Sequence, residues 1–139
     1  MKGRILAIDY GAKRIGLAVS DPDRTVVFPR EVLMNVGIQS TVEFLSQYCE
    51  KESISLIVVG FPRHENHSEA QFAPEVRRFI SHLQQNIAIP VAEEDEKFTS
   101  AEAHMMMEKM GVDASEQKKH RDVLAAMIIL QSYLAGNGI

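Results

Sequence analysis

Ile5-Leu6-Ala7-Ile8-Asp9-Tyr10-Gly11-Ala12-Lys13-Arg14-Ile15-Gly16-Leu17-Ala18-Val19-Ser20 is the stretch that decides the fold. Residues 5–8 are a short, bounded apolar run rich in branched side chains, which predicts a buried strand. Residues 15–19 repeat the pattern. Between them lies a tight reversal with Gly11 and Gly16 at its ends and Lys13-Arg14 inside it. The stretch reads as a β-hairpin that carries a carboxylate, Asp9, at the exit of its first strand. An Asp directly after a buried run has two readings. It shapes a turn through its own side chain, or it is placed for a cation or a substrate.

Outward from the hairpin, Ser20-Asp21-Pro22-Asp23 has turn composition. Residues 25–34 read as a third strand, where Pro29 favours an edge position or a bend. Three early strands with short connections predict an antiparallel meander. Ser40-Thr41-Val42-Glu43 has the form of a capping box. Val42, Leu45, Tyr48 and Cys49 follow at helical spacing, so a helix is expected over 40–52. Residues 54–59 form an apolar run ending at Gly60, the pattern of a strand buried on both faces. A polar loop over 61–68 leads to a helix marked by Val76, Phe79, Ile80 and Leu83, with Pro74 in its first turn. A short strand over 87–92 runs into Glu93-Glu94-Asp95-Glu96. Thr99-Ser100-Ala101-Glu102 is a second capping box, opening a helix that ends near Gly111. The last helix spans about 115–134, with Leu124, Met127, Ile128, Leu130 and Leu134 on its apolar side. This order predicts an α/β fold with one domain over 1–139. Its mixed five-stranded sheet has three antiparallel strands followed by parallel ones with right-handed crossovers, flanked by helices.

The totals agree with that size. The chain has 139 residues, 45% hydrophobic and 24% charged, and a net charge of -4, which places it with globular domains. The acidity weighs against a general nucleic-acid coat protein. It leaves room for a nuclease, whose carboxylates hold metal while local basic clusters meet phosphate. Cys49 is the one cysteine, so no intramolecular disulfide or cysteine-based zinc site is available. No run approaches about 18 apolar residues, and Met1-Lys2-Gly3-Arg4 passes directly into a strand without a signal-peptide core. The expectation is a cytoplasmic protein with no membrane partner.

In a parallel sheet, ligands gather beyond the carboxyl ends of the strands. Asp9 ends the first strand, and Asp95 and Glu96 follow the last. Asp122 opens the apolar part of the last helix, where Lys118 one turn earlier offers it a simple ion pair. Hard carboxylate oxygens suit Mg²⁺ or Mn²⁺. Two such ions about 4 Å apart support phosphodiester cleavage. Plainer readings stand beside these. Residues 93–96 also read as a solvated acidic face, and Lys13-Arg14 as a solvated turn. His64 and His67 sit in a loop without a third ligand, and Met105, Met106, Met107 and Met110 read as helix core and adjacent surface.

Four blocks in order resemble the YqgF family of bacterial proteins, associated with Holliday-junction resolution and pre-16S rRNA processing. They are residues 9–21; Val58-Val59-Gly60-Phe61-Pro62 with Ser68-Glu69; Asp95-Glu96-Lys97-Phe98-Thr99-Ser100-Ala101-Glu102-Ala103; and Arg121-Asp122-Val123-Leu124-Ala125-Ala126 with Ile129-Leu130-Gln131-Ser132-Tyr133-Leu134. The resemblance implies an RNase H-like fold and divalent-metal nuclease chemistry. It places the three acidic catalytic positions on Asp9, Glu96 and Asp122, with Asp95 as an adjacent metal ligand. Lys13, Arg14, Arg63, Lys97, Lys118 and Lys119 are then expected to meet nucleic acid, positioning phosphates rather than reading bases. Gly11, Gly16 and Gly60 are expected to shape turns. Nucleic acid is the implied partner, and the chain acts as a monomer or a homodimer.

Three positions depart from the family pattern. Asn66-His67 replaces a common Asp-Gly, removing a glycine able to take positive φ. Lys97 replaces an Arg, turning a bidentate contact into a point charge. Val123 replaces a Gln beside Asp122. Two alternatives follow: a non-catalytic nucleic-acid-binding or ribosome-assembly module, and an actin-like or sugar-kinase phosphate turn, which needs a second domain.

Overall fold

Alternation along the first strand divides the interior into two layers. In β1 (Arg4–Tyr10), Leu6, Ile8 and Tyr10 face one side while Ile5 and Ala7 face the other. A strand whose residues 5–8 are all fully buried lies at the centre of a sheet covered on both faces. The structure is a computed structural model that describes residues 2–61, 72–95, 105, 108, 109, 111 and 121–137, the side chains of 121, 122 and 137 excepted. The further elements are β2 (Arg14–Ser20), β3 (Val27–Met34), α1 (Ile38–Lys51), β4 (Ile54–Phe61), α2 (Ala73–Asn86), β5 (Val91–Asp95) and α3 (Arg121–Asn137).

The five strands form one sheet in the order β3-β2-β1-β4-β5. β1 pairs antiparallel with β2, and β2 with β3; β1 pairs parallel with β4, and β4 with β5. This is the mixed sheet that the sequence predicts. α1 and α2 cover the face carrying Ile8, Leu17 and Val59, where Tyr10 stacks on Phe79 at 4.0 Å between ring centroids. α3 covers the opposite face through Val123, Leu124, Ala126, Met127, Ile129 and Leu130, against Ile5, Ala7, Ala18 and Val58. Cys49 is buried in the first layer, and desolvation pushes its thiol up to about 11, so it is a packing residue rather than a nucleophile.

β3 is an edge strand and accommodates Pro29 there, as expected. Its pairing shifts between Gly16 and Ala18, so that Arg30 and Glu31 together oppose Leu17. Such a bulge, next to a proline, blunts an edge that would otherwise template another strand.

Three local expectations are corrected. α1 begins at Ile38 with Gly37 as its cap, and no side chain caps it, so Ser40-Thr41-Val42-Glu43 is not a capping box. The Thr41 hydroxyl instead donates to the Gly37 carbonyl at 2.8 Å, inside the first turn. Gly37 has φ 122, a conformation that favours glycine. The last strand begins at Val91, because Ile87 caps α2, and it takes in Glu93, Glu94 and Asp95. At this sheet edge Glu93 and Asp95 are exposed and Glu94 on the other face is half-buried, so the strand tolerates those acids. Gly16 lies inside β2 and Gly60 inside β4, not in turns. The hairpin closes one step beyond the Tyr10–Ile15 pair, through a 3.0 Å bond from the Gly11 amide to the Arg14 carbonyl. A Cβ on Gly11 would stand 2.5 Å from that oxygen, which is the reason for glycine there.

Of the loop expected over 61–68, Phe61 instead ends β4, paired with Asp95; the rest of that loop, the helix start at Thr99 and the start of the last helix near 115 lie outside the described residues. Met105 is exposed. Among the described residues no helix is long and apolar enough to cross a membrane.

Candidate functional site

Asp9 is the penultimate residue of β1, half-buried, on the face covered by α3. Its cross-strand partner in β2 is Gly16. On the other side, Ile8 pairs with Val59, which brings Gly60 alongside Asp9 one step later. Gly60 in turn pairs with Glu94 of β5. One row across the sheet therefore reads Gly16, Asp9, Gly60, Glu94. Strands lie about 4.8 Å apart, so the Asp9 and Glu94 backbones are about 10 Å apart. The intervening position carries no side chain.

Glu94 belongs to the same face because it follows Ala92, which packs in the α3 layer. Ser132 of α3 donates a 2.7 Å hydrogen bond to Glu94 Oε2. Both residues are half-buried. The site thus holds two carboxylates on one side of the sheet, at the carboxyl ends of parallel strands, with a glycine gap between them. That donor set is all hard oxygen, and it suits a divalent cation of the Mg²⁺ type rather than a soft metal. Among the described residues no group of three His, Cys, Asp or Glu side chains converges.

The other expected residues fall as follows. Asp95 pairs with Phe61, on the face that carries Tyr10, and is exposed, so β5 turns it away from Asp9. Asp122 is the second residue of α3, just before the helix side that packs on the Asp9 face, and its carboxylate is outside the described side chains. Arg63, Glu96, Lys97, Lys118 and Lys119 lie outside the described residues. Lys13 and Arg14 are exposed at the hairpin tip, which stands at the carboxyl end of β1.

Four residues escaped the sequence. Glu94 was hidden by its acidic neighbours, although period-2 alternation from Ala92 would have selected it. Ser132 had no local signal. Asn35 follows β3 and hydrogen-bonds the hairpin tip: its Nδ2 donates to the Gly11 carbonyl at 2.9 Å. Arg77 of α2 places its guanidinium 4.5 Å from the Phe61 ring centroid at the end of β4, a cation–π contact at the same sheet edge.

Comparison with known proteins agrees with this fold. The model of a family described as RuvX, Holliday junction resolvase, matches residues 3–136. A protein of Phocaeicola vulgatus is 39% identical over 138 residues, covering 94% of each chain. One of Porphyromonas gingivalis is 38% identical over 135 residues, covering 95% of this chain and 96% of its own. One of Koribacter versatilis is 34% identical over 137 residues, covering 99% and 90%. All three bear the name "Putative pre-16S rRNA nuclease". Among solved structures, Thermus thermophilus RuvC in complex with a Holliday junction substrate superposes with a TM-score of 0.63 at 14% identity, covering 96% of each chain. The fowlpox virus Holliday junction resolvase gives 0.60 at 14% identity, covering 96% of this chain and 99% of its own. At such identities these two matches establish the fold, which is RNase H-like. With a family model spanning nearly its whole length and relatives above one-third identity, the chain belongs to the RuvX family, described as Holliday junction resolvases.

Proposed function

We propose that this chain is a nuclease that hydrolyses phosphodiester bonds in structured RNA, with the precursor of 16S rRNA as its substrate. The observation that carries the reading is the half-buried Asp9 at the carboxyl end of β1, flanked by Gly16 and Gly60. Asp9, with Glu96 and Asp122, would hold Mg²⁺ or Mn²⁺, and Glu94 adds negative charge to the same face. A bound cation of this class polarises the phosphate and lowers the pKa of an attacking water. The chain's own part is to hold the carboxylates, to leave the strand positions beside Asp9 without side chains through Gly16 and Gly60, and to meet phosphates through Lys13 and Arg14. The names of the relatives support an RNA substrate.

Four-way DNA junctions are the second reading, supported by the family description. A junction presents two equivalent cuts, which suits a two-fold dimer, whereas rRNA end processing suits a monomer. The test is cleavage of end-labelled pre-16S RNA and of a four-way DNA junction, with Mg²⁺ and with Mn²⁺, by the wild type and by Asp9→Asn. The expected result is metal-dependent cutting of the RNA that Asp9→Asn abolishes. Cutting that survives Asp9→Asn would overturn the site, and cutting confined to the junction would select the second reading.

A further inference from the structure

We infer that Asn35 is a positioning residue for nucleic-acid binding, pinning the tip of the β1–β2 hairpin to α1 so that Lys13 and Arg14 face the phosphate backbone as a fixed pair. This rests on the proposed reading that those two cations meet phosphate. The geometry is a two-sided clamp. Toward the hairpin, the Asn35 amide N–H donates to the Lys13 carbonyl at 2.9 Å, and its side-chain Nδ2 donates to the Gly11 carbonyl at 2.9 Å. Toward the helix, the Gly37 amide donates to Asn35 Oδ1 at 3.0 Å. The Gly37 carbonyl then accepts from the Thr41 amide at 3.1 Å and from the Thr41 hydroxyl at 2.8 Å. Thr41 is buried, and Val42 and Leu45 beside it are core residues. The hairpin tip is therefore connected to the core by a short chain of hydrogen bonds.

The chemistry explains the residue type. A primary amide carries its donor and its acceptor on two separate atoms of one short side chain, and Asn35 uses both, Nδ2 toward Gly11 and Oδ1 toward Gly37. With Gly11 N–H bonded to the Arg14 carbonyl, the carbonyls of Gly11, Lys13 and Arg14 are all engaged on the protein side. The side chains of Ala12, Lys13 and Arg14 are left exposed. A loop held from beneath with two adjacent cations outward is preorganised. A free loop would have to be ordered on binding, at a cost that weakens affinity.

The test measures binding of a short structured RNA by fluorescence anisotropy across a salt series, together with KM and kcat. The variants are Asn35→Asp, Lys13→Ala with Arg14→Ala, and all three changes combined. Asn35→Asp keeps the acceptor for Gly37 but loses the donor to Gly11. Removing the two cations should weaken binding and lower the log–log salt slope by about 0.7–0.9 for each phosphate no longer neutralised. Asn35→Asp should raise Kd and KM about two- to tenfold, with kcat holding. Added to the cation-free background, it should have no further effect on Kd. A purely structural role would give the same penalty in both backgrounds, and that result overturns the proposal, as does an unchanged Kd for Asn35→Asp. If removing the cations leaves binding intact, the phosphate reading of the tip fails first. Should Asn35→Asp not fold, hydrogen exchange in the wild type decides. The Gly11 and Asn35 amides should be protected like the β1–β2 ladder, and exchange at the rate of an open loop would end the proposal.

Discussion

The Ser132 hydroxyl donates to Glu94 Oε2 at 2.7 Å, tying the end of β5 to the body of α3. The bond fixes a carboxylate on the Asp9 face and joins the two elements that flank residues 96–120. A hydrogen bond to a charged acceptor that is partly solvated contributes about 1 kcal/mol. Ser132→Ala should therefore lower stability by about that amount in urea unfolding. Glu94→Gln keeps an acceptor for Ser132 but removes a negative charge near Asp9. It should raise the divalent-ion concentration needed for half-maximal cleavage by more than Ser132→Ala does. Identical metal-response curves for Glu94→Gln and the wild type would remove Glu94 from the site.

Gly60 sits between Asp9 and Glu94 and is buried. A side chain there enters the gap that the two carboxylates border. Gly60→Val should cost about 1–3 kcal/mol through overpacking. At a temperature where circular dichroism shows the variant folded, kcat/KM should still fall by about tenfold or more, because small displacements of catalytic groups are costly. Full activity in the folded variant would mean that the gap is not used.

Asp21 gives a pH dependence of known sign. The Val26 amide, 2.7 Å from Oδ1, is the main cause that holds its carboxyl below the ordinary 3.8. Desolvation is the next cause and opposes it, and the Thr25 amide at 2.7 Å, the Thr25 hydroxyl at 3.0 Å and the Asp23 amide at 3.3 Å then reinforce the lowering. A carboxyl depressed on folding stabilises above its unfolded pKa, and that contribution is lost as pH falls through the folded value. The urea midpoint should drop as pH falls from about 5 toward 2, and Asp21→Asn should flatten part of that drop. An acid limb unchanged in Asp21→Asn would show that the turn does not couple to folding.

Much of the fold is legible because the central strands are buried on both faces. Residues 5–8, 15–19 and 57–59 are continuous apolar runs, and such runs have few alternatives. Pro29 marked the sheet edge for an equally local reason, its missing N–H. The errors came where contacts at a distance overrode local chemistry. Ser40 to Glu43 has the pattern of a cap, but Asn35 and Gly37 set the helix start two residues earlier. β5 looked like a short apolar strand with an acidic tail, but pairing with β4 draws Glu93, Glu94 and Asp95 into it.

Within the site, the sequence by itself determined that Asp9 ends a buried strand, that acids follow the last strand, and that the order of elements and motifs is that of one nuclease family. Those features depend on neighbours in the chain, through side-chain period and turn chemistry. Only the tertiary structure decided that Gly16 and Gly60 flank Asp9, that Glu94 shares its face while Asp95 does not, and that Asn35 holds the hairpin tip. Each of these depends on strand register or on a hydrogen bond across the fold. Register is set by long-range burial and pairing, and a shift of one residue would exchange the two faces. A glycine read locally as a turn thus becomes, once the strands pair, the position without a side chain beside a carboxylate.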